Sequence, residues 1–184
     1  PFISINADSQ IVIQKGTHQI TQNLIIPKGF TLRMWPGSNL DLSQGASIIC
    51  YGNTMLEGSG EAPVQIMSSN QTGGGFLLAS AGENNRFKQV VFSQLGNAGL
   101  TEGAVSIYDS GVLFEDCLFI RSRAENGLAF SHSRYEVLNS KIEEAAGDGI
   151  DINFSQGNIS GLEVLKCGKD GLEISGGSAT LYNI

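Results

Sequence analysis

The stretch GDGIDINFSQGNISGLEVLKCG, residues 147–168, repeats a pattern found in the segments on either side of it. The preceding segment is ENGLAFSHSRYEVLNSKIEEAA (125–146), and the following one is KDGLEISGGSATLYNI (169–184). One glycine in each segment falls in register at one constant spacing: Gly127, Gly149 and Gly171. Each of these glycines follows Asn or Asp and precedes Leu or Ile, and a second apolar residue comes two positions later. Agreement at several positions over three segments indicates a structural repeat.

Apolar residues alternate within each repeat, as at Leu128 and Phe130 or at Ile150 and Ile152. A period of two is typical of β-strands, and these runs are too short and too closely bounded by glycine for helices. A coil of two or three short strands cannot bury its own apolar face. Each coil must therefore stack on the next at the inter-strand spacing of roughly 4.8 Å. The sequence predicts an all-β solenoid in which residues 22 apart lie above one another, with a looser earlier copy beginning at residues 102–103.

The first third of the chain has a different texture, in which short apolar runs alternate with the turn sequences PKG and WPG. Proline followed closely by glycine favours turns, so we expect short strands such as 24–26 and 31–34. The segments 72–75 and 93–103 are expected to project from the solenoid, where loops often form one wall of a binding face. We expect one domain over 1–184, with N-terminal coils in 1–70 and regular coils in 71–184.

The composition limits the partners of the chain. Hydrophobic residues make up 41% and charged residues 16%, and the net charge of -7 disfavours duplex nucleic acid or an anionic membrane surface. No apolar run reaches the about 18 residues that a membrane span needs, so membrane insertion is not expected. The three cysteines, Cys50, Cys117 and Cys167, are far apart and lack CxxC spacing, which favours free thiols over a zinc site or a disulfide framework.

The repeat resembles the single-stranded right-handed parallel β-helix of the pectin-lyase-like superfamily. The resemblance rests on the [ND]-G-[LI] signature and the 22-residue coil, and it covers 75–184 well and the first third more loosely. The opening coils resemble β-helix modules of bacterial surface and envelope proteins, in which IP-x-G and x-PG turns recur. The resemblance implies an extracellular or periplasmic location. It does not decide function, because the superfamily contains lyases, hydrolases, epimerases, adhesins and passive modules.

Acidic side chains are expected to gather on two adjacent coils. If Ile150 and Ile152 point into the bore, Asp151 and Asn153 point outward, because side chains alternate across a strand. The 22-residue register then gives two columns of stacked residues. The outward column contains Ala129, Asp151 and Glu173, and the turn column contains Asn126, Asp148 and Asp170. Asp or Asn before glycine commonly bonds to nearby backbone amides, so the turn column is expected to cap the next coil. Asp151 and Glu173 lie in mid-strand, where acids are depleted, and either a solvated face or a functional site fits them.

A catalytic interpretation comes from GDGID, which resembles the polygalacturonase motif Asn-Thr-Asp-Gly-Ile-Asp. The resemblance implies that paired carboxylates on adjacent coils, Asp148 and Asp170, act as acid and base, with Asp151 and Glu173 beside them. The sequence departs from that family, because Ala-Gly replaces Asn-Thr at 146–147 and Lys169 replaces the first residue of the expected Asp-Asp pair. The Gly-His-Gly and Arg-x-Lys motifs do not follow either.

Two binding interpretations remain open beside the catalytic one. Ca²⁺ could be held by Asp151 and Glu173, since hard cations prefer carboxylate oxygens, and no other cofactor is expected. Alternatively, Asn126, Asn153 and Lys169 could bind a glycan without cleaving it, and Tyr108 and Phe154 are candidate sugar platforms.

The leading hypothesis is a non-catalytic β-helix module of a bacterial envelope or secreted protein, serving as a scaffold or a glycan-contacting surface. Its motivation is an ordered repeat without a complete catalytic set. The alternative is a polysaccharide lyase or glycoside hydrolase acting through the four carboxylates. The chain begins without methionine and stops inside an apparent strand, so we expect a fragment whose last coil is covered by further chain or by a partner.

Overall fold

The computed structural model describes residues 1–99 and 101–184, and all regular secondary structure in these residues is β-strand. The predicted strands 24–26 and 31–34 are present with those bounds. The strands in chain order are β1 (Ile3–Ile5), β2 (Gln10–Ile13), β3 (Gly16–Ile20), β4 (Leu24–Ile26), β5 (Thr31–Met34), β6 (Ser38–Leu42), β7 (Ile48–Cys50), β8 (Asn53–Glu57), β9 (Val64–Met67), β10 (Phe76–Lys88), β11 (Val90–Ser93), β12 (Gly103–Glu115), β13 (Leu118–Ile120), β14 (Asn126–Ser131), β15 (Arg134–Leu138), β16 (Lys141–Glu143), β17 (Asp148–Ser160), β18 (Glu163–Leu165) and β19 (Leu172–Tyr182).

Strands of successive coils pair in parallel and form three rows, which are the three faces of the solenoid. The first face contains β4, β7, the first halves of β10, β12 and β17, and β14. The second face contains β2, β5, β8, the second halves of the same long strands, and β15. The third face runs through β3, β6, β9, β11, β13, β16 and β18, while β1 pairs with β2 in antiparallel orientation. The predicted all-β parallel solenoid is therefore confirmed, with about seven turns of about 23 residues.

The 22-residue register is confirmed over the last coils. Asn126 pairs with Asp148, and Asp151 pairs with Glu173. One coil in the middle of the chain is longer than this, because Val105 pairs with Leu128 on one side and with the more distant Phe76 on the other. Part of the extra length between Phe76 and Val105 lies in the segment 94–102, between two strands, and part lies inside β10, whose pairing with β12 shifts register between Ala79 and Gly82 and between Gly82 and Asn85. Phe76 and Phe87, on either side of these shifts, both face the bore with an exposed fraction of 0%.

The bore is filled by aliphatic and aromatic side chains. The predicted inward residues Leu128, Phe130, Ile150 and Ile152 all have an exposed fraction of 0%. Two pairs of rings stack between neighbouring coils, Phe87 on Phe114 at 4.7 Å and Phe92 on Phe119 at 5.1 Å between centroids. Such aromatic pairs contribute about 0.5–1.5 kcal/mol each beyond the burial of their surface. They lock the central coils together.

The cysteines form no disulfide, as predicted. Cys50 and Cys117 are buried in the bore, and Cys167 is partly exposed. Among the described residues, no helix is long and apolar enough to cross a membrane.

One corner of the solenoid, between the first and second faces, is built by the stacked serines Ser110, Ser133 and Ser155, and we term it the serine corner. The amide of Ser110 donates to Oγ of Ser133 at 3.3 Å, and the amide of Ser133 donates to Oγ of Ser155 at 3.0 Å. Each hydroxyl in turn donates to the carbonyl two residues earlier. The residue before each serine has a positive φ and an exposed side chain: Asp109 (45°), His132 (51°) and Phe154 (47°). The left-handed residue turns the chain at the corner and leaves its side chain on the outer surface.

Candidate ligand-binding groove beside the serine corner

A groove of about 400 Å³ lies on the first face, and we name it the Asp151 groove. Its lining includes Ser106, Ala129 and Asp151, which pair with one another on three consecutive coils. Thr101 and Glu102 line it from the segment 93–103, of which Leu100 lies outside the described residues. Residues of this segment therefore line a depression, as expected, whereas the expected projection of 72–75 is wrong, because the glycines at 73–75 are buried.

The opposite side of the Asp151 groove is lined by a row of exposed rings, Tyr108, His132 and Phe154, which we name the aromatic ridge. The centroids of Tyr108 and His132 are 5.9 Å apart, and the rings of His132 and Phe154 stack at 5.4 Å and 24°. Phe154 is 69% exposed and Tyr108 is 49% exposed. Gly176 occupies the position of Phe154 in the next coil, and a Cβ atom at Gly176 would lie 3.0 Å from the Phe154 ring. The missing side chain leaves room for the last ring of the ridge.

Asp151 is buried in the lining of the groove, with an exposed fraction of 6%. The interpretation of a solvated face is therefore wrong for this residue, whose carboxylate lies against the amide groups of two asparagines. Nδ2 of Asn126 and Nδ2 of Asn153 both donate to Oδ2 of Asp151, at 3.2 Å and 2.7 Å. Burial raises the pKa of the Asp151 carboxyl, and the negative charges of Glu173 and Glu102 raise it further.

The turn column behaves as predicted at Asp148 and differently at Asn126. Asp148 is buried, and its Oδ1 accepts the amide of Asp170 at 2.8 Å, so it caps the next coil. The amide of Asp148 itself donates to the carbonyl of Glu125 at 2.9 Å. The prediction of a side-chain cap is therefore wrong for Asn126, whose amide group is turned toward Asp151. Oδ1 of Asn126 is buried and has no hydrogen-bond partner.

The other predicted site residues lie on the last coil or beside it. Asp170 and Glu173 are exposed, and Glu173 lies directly in register with Asp151. Lys169 is also exposed, and its Nζ forms an ion pair at 2.8 Å with Glu125. This contact raises the pKa of Lys169 and directs its ammonium group to that carboxylate. Among the predicted residues, Asn126, Asp151 and Asn153 are joined by hydrogen bonds between side chains, and Asp148 is joined to the backbone of Asp170.

A metal centre is not formed by the side chains of the described residues, among which no three His, Cys, Asp or Glu are placed to hold an ion together. Ca²⁺ binding through Asp151 and Glu173 stays a prediction.

Sequence reasoning missed the contributions of His132, Thr101 and Glu102. A signal for His132 is present, because the pairs Asp109-Ser110, His132-Ser133 and Phe154-Ser155 recur at nearly constant spacing from coil to coil. A serine repeated at one position of each coil indicates a stacked hydrogen-bond row, and the residue before it marks an outward corner.

A second depression, of about 680 Å³, lies on the second face beyond the aromatic ridge. Its two arginines are already paired, Arg86 with Glu115 at 2.6 Å and Arg134 with Glu83 at 3.5 Å. Its lining is otherwise polar and includes Gln156. It has neither exposed rings nor a buried acid without a cationic partner.

Comparison with known proteins gives no relative for this chain, since no family model, no curated protein and no solved structure matches it. Function has to be inferred from the groove and the ridge themselves.

Proposed function

We propose that the chain is a non-catalytic β-solenoid module that contacts glycans through the Asp151 groove and the aromatic ridge. The observation that carries this proposal is the row of three exposed, contacting rings beside a groove lined by Asp151 and Asn153. The apolar face of a sugar packs on an aromatic ring, while its hydroxyl groups bond to nearby carboxylates and amides. Ligand sites commonly combine aromatic walls with a few such polar groups.

The dimensions of the ridge suit an extended carbohydrate. Its rings come from three successive coils, and the spacing of about 4.8 Å between coils gives a row roughly 10 Å long. The row is held from behind by the serine corner, so the rings are pre-positioned before a ligand arrives. Pre-positioning lowers the entropy cost of binding.

The proposal extends to the setting of the module. In keeping with the sequence resemblance, the chain is a member of the pectin-lyase-like superfamily and part of a secreted or envelope protein of a bacterium. The stacked coils make it a rigid scaffold that displays the groove.

A glycoside hydrolase is the second candidate, and the environment of Asp151 favours it. A buried carboxyl whose pKa is raised, with the carboxylates of Glu102 and Glu173 acting on it, resembles an acid and base pair. Asp148 fits the acid role less well, because its carboxylate already accepts the amide of Asp170.

Isothermal titration of a glycan panel tests the proposal, using neutral, amino and acidic oligosaccharides with the wild type and Phe154→Ala. At least one oligosaccharide class is expected to bind, and Phe154→Ala is expected to weaken that binding about tenfold, a loss of about 1.4 kcal/mol. Tyr51→Ala is the matched control, because Tyr51 is 46% exposed and lies away from the ridge.

Three results would overturn the proposal. The first is no binding to any member of the panel, and the second is equal binding by wild type and Phe154→Ala. The third is release of reducing sugar or unsaturated product by the wild type and its loss in Asp151→Asn, which would establish the catalytic alternative.

A further inference from the structure

The Asp151 groove carries the negative charge of carboxylates that form no ion pair within the described part of the chain. Asp151 and Glu102 line the groove, and Glu173 lies next to Asp151 in register. None of the ion pairs among residues 1–99 and 101–184 includes any of these three carboxylates. Lys169, the nearest cation in sequence to Glu173, is held by Glu125. The groove therefore favours a cationic ligand and repels an anionic one.

One oxygen of Asp151 is free to receive such a ligand. Oδ2 accepts both amide donors, from Asn126 and Asn153, whereas Oδ1 accepts no hydrogen bond from the described residues. Asp151 lines the groove, so its carboxylate borders the space that a ligand would occupy. A carboxylate that is 6% exposed and lacks a cationic partner is costly to bury. A ligand ammonium group at Oδ1 would offset that cost.

The aromatic ridge adds a second attraction for the same kind of group. Tyr108, His132 and Phe154 line the groove that Asp151 also lines. The face of an aromatic ring carries partial negative charge and attracts an organic cation. A sugar that carries an amine can pack its ring on the aromatic ridge and place its positive charge next to the carboxylate of Asp151. A uronate would instead bring its own negative charge close to Asp151, Glu102 and Glu173.

We infer that the Asp151 groove selects a glycan unit with a free, protonated amine, and that the ammonium group binds Oδ1 of Asp151 while the sugar packs on the aromatic ridge. The inference rests on the proposed glycan-contacting function and adds the ligand class to it. An N-acetylated unit lacks the charge, so it binds more weakly. A simple polyamine has the charge and lacks the ring, so it also binds more weakly.

Isothermal titration at about pH 6, where a sugar amine is protonated, tests this selection with matched ligands. The ligands are the β-1,4-linked trisaccharide of glucosamine, the same trisaccharide fully N-acetylated, and spermidine. The free-amine trisaccharide is expected to bind the wild type at least tenfold more tightly than either of the others. Its affinity is expected to fall as salt is added.

Variants locate the preference at the groove. Asp151→Asn is expected to abolish the difference between the two trisaccharides, and Asp116→Asn, at an exposed aspartate without an ion pair, is the matched control that retains it. Glu102→Gln is expected to reduce the preference about threefold. Because Glu102 is exposed, this second variant keeps the test valid if Asp151→Asn fails to fold.

The outcomes separate this inference from the proposed function. Equal or tighter binding of the N-acetylated trisaccharide refutes the cation selection and leaves glycan contact intact. Binding of spermidine as tight as that of the free-amine trisaccharide refutes the role of the ridge. Absence of binding by every glycan in the panel refutes both the inference and the proposed function. A preference that survives both Asp151→Asn and Glu102→Gln refutes the placement of the amine in this groove.

Discussion

The serine corner can be tested by Ser133→Ala, which removes one hydroxyl from the stacked row. Ser133 is 4% exposed, and its Oγ accepts the amide of Ser110 at 3.3 Å and donates to the carbonyl of Ser131 at 2.8 Å. Alanine leaves the amide of Ser110 buried without its acceptor. A buried donor that loses its partner costs about 1–3 kcal/mol. The free energy of unfolding is therefore expected to fall by about 1–3 kcal/mol.

Two measurements check this value. Urea unfolding followed by circular dichroism gives the overall loss, with Ser175→Ala as the control, because Ser175 is exposed and forms no side-chain hydrogen bond with the described residues. The control is expected to change stability by less than about 0.5 kcal/mol. Hydrogen exchange measures the local effect at the Ser110 amide. This amide is expected to exchange at least about tenfold faster in Ser133→Ala, because a loss of about 1.4 kcal/mol in local stability corresponds to a factor of ten in the exchange rate.

The reasoning would be refuted if the Ser110 amide stayed equally protected in Ser133→Ala and the two variants unfolded at the same urea concentration. That result would mean that the corner is held by the strand ladders alone.

Three further predictions concern packing, reactivity and pH. Gly157→Ala is expected to destabilise the protein by roughly 1–3 kcal/mol, because the new methyl group would collide with a backbone carbonyl of the preceding coil; an unchanged Tm would contradict this. Thiol labelling of the native protein is expected to modify Cys167 only, because Cys50 and Cys117 are buried and burial raises the pKa of both thiols to about 12. All three cysteines should react after unfolding. Fast labelling of a second thiol in the native state would contradict this prediction. Burial raises the pKa of Asp151 in the folded state above the unfolded pKa of about 3.9. The wild type is therefore expected to lose stability relative to Asp151→Asn as pH rises from below the unfolded pKa through the higher folded pKa. Urea midpoints of the two proteins across this pH range measure the loss, and parallel pH profiles would count against it.

Much of the fold could be predicted because its determinants are local and repeat. Alternating apolar residues and an Asn or Asp before glycine are visible within the length of one coil, and they predicted both the inward positions and the pairing of Asp148 with Asn126. The longer coil between Phe76 and Val105 could not be predicted from the same pattern. Its additional residues lie partly between strands and partly at the register shifts within β10, where nothing periodic marks their number.

The candidate site was predictable only in part. The cap that Asp148 provides follows from its position before glycine, a local property. Glu102 lines the same groove as Asp151 from a coil two turns earlier, and no spacing rule connects the two residues. The orientation of the Asn126 side chain toward Asp151 likewise depends on a contact between neighbouring coils and not on the local sequence.

The left-handed corner position has a consequence for how such a surface can change. In successive coils it holds Asp109, His132, Phe154 and Gly176, which are an acid, an imidazole, a phenyl ring and a hydrogen atom, all at positive φ. The backbone therefore tolerates very different chemistry at this site, because the stacked serines hold the corner conformation from the inner side and the side chain at the corner is exposed. Evolution or design can therefore replace these residues one coil at a time and change the ligand specificity of this surface without changing the packing of the bore.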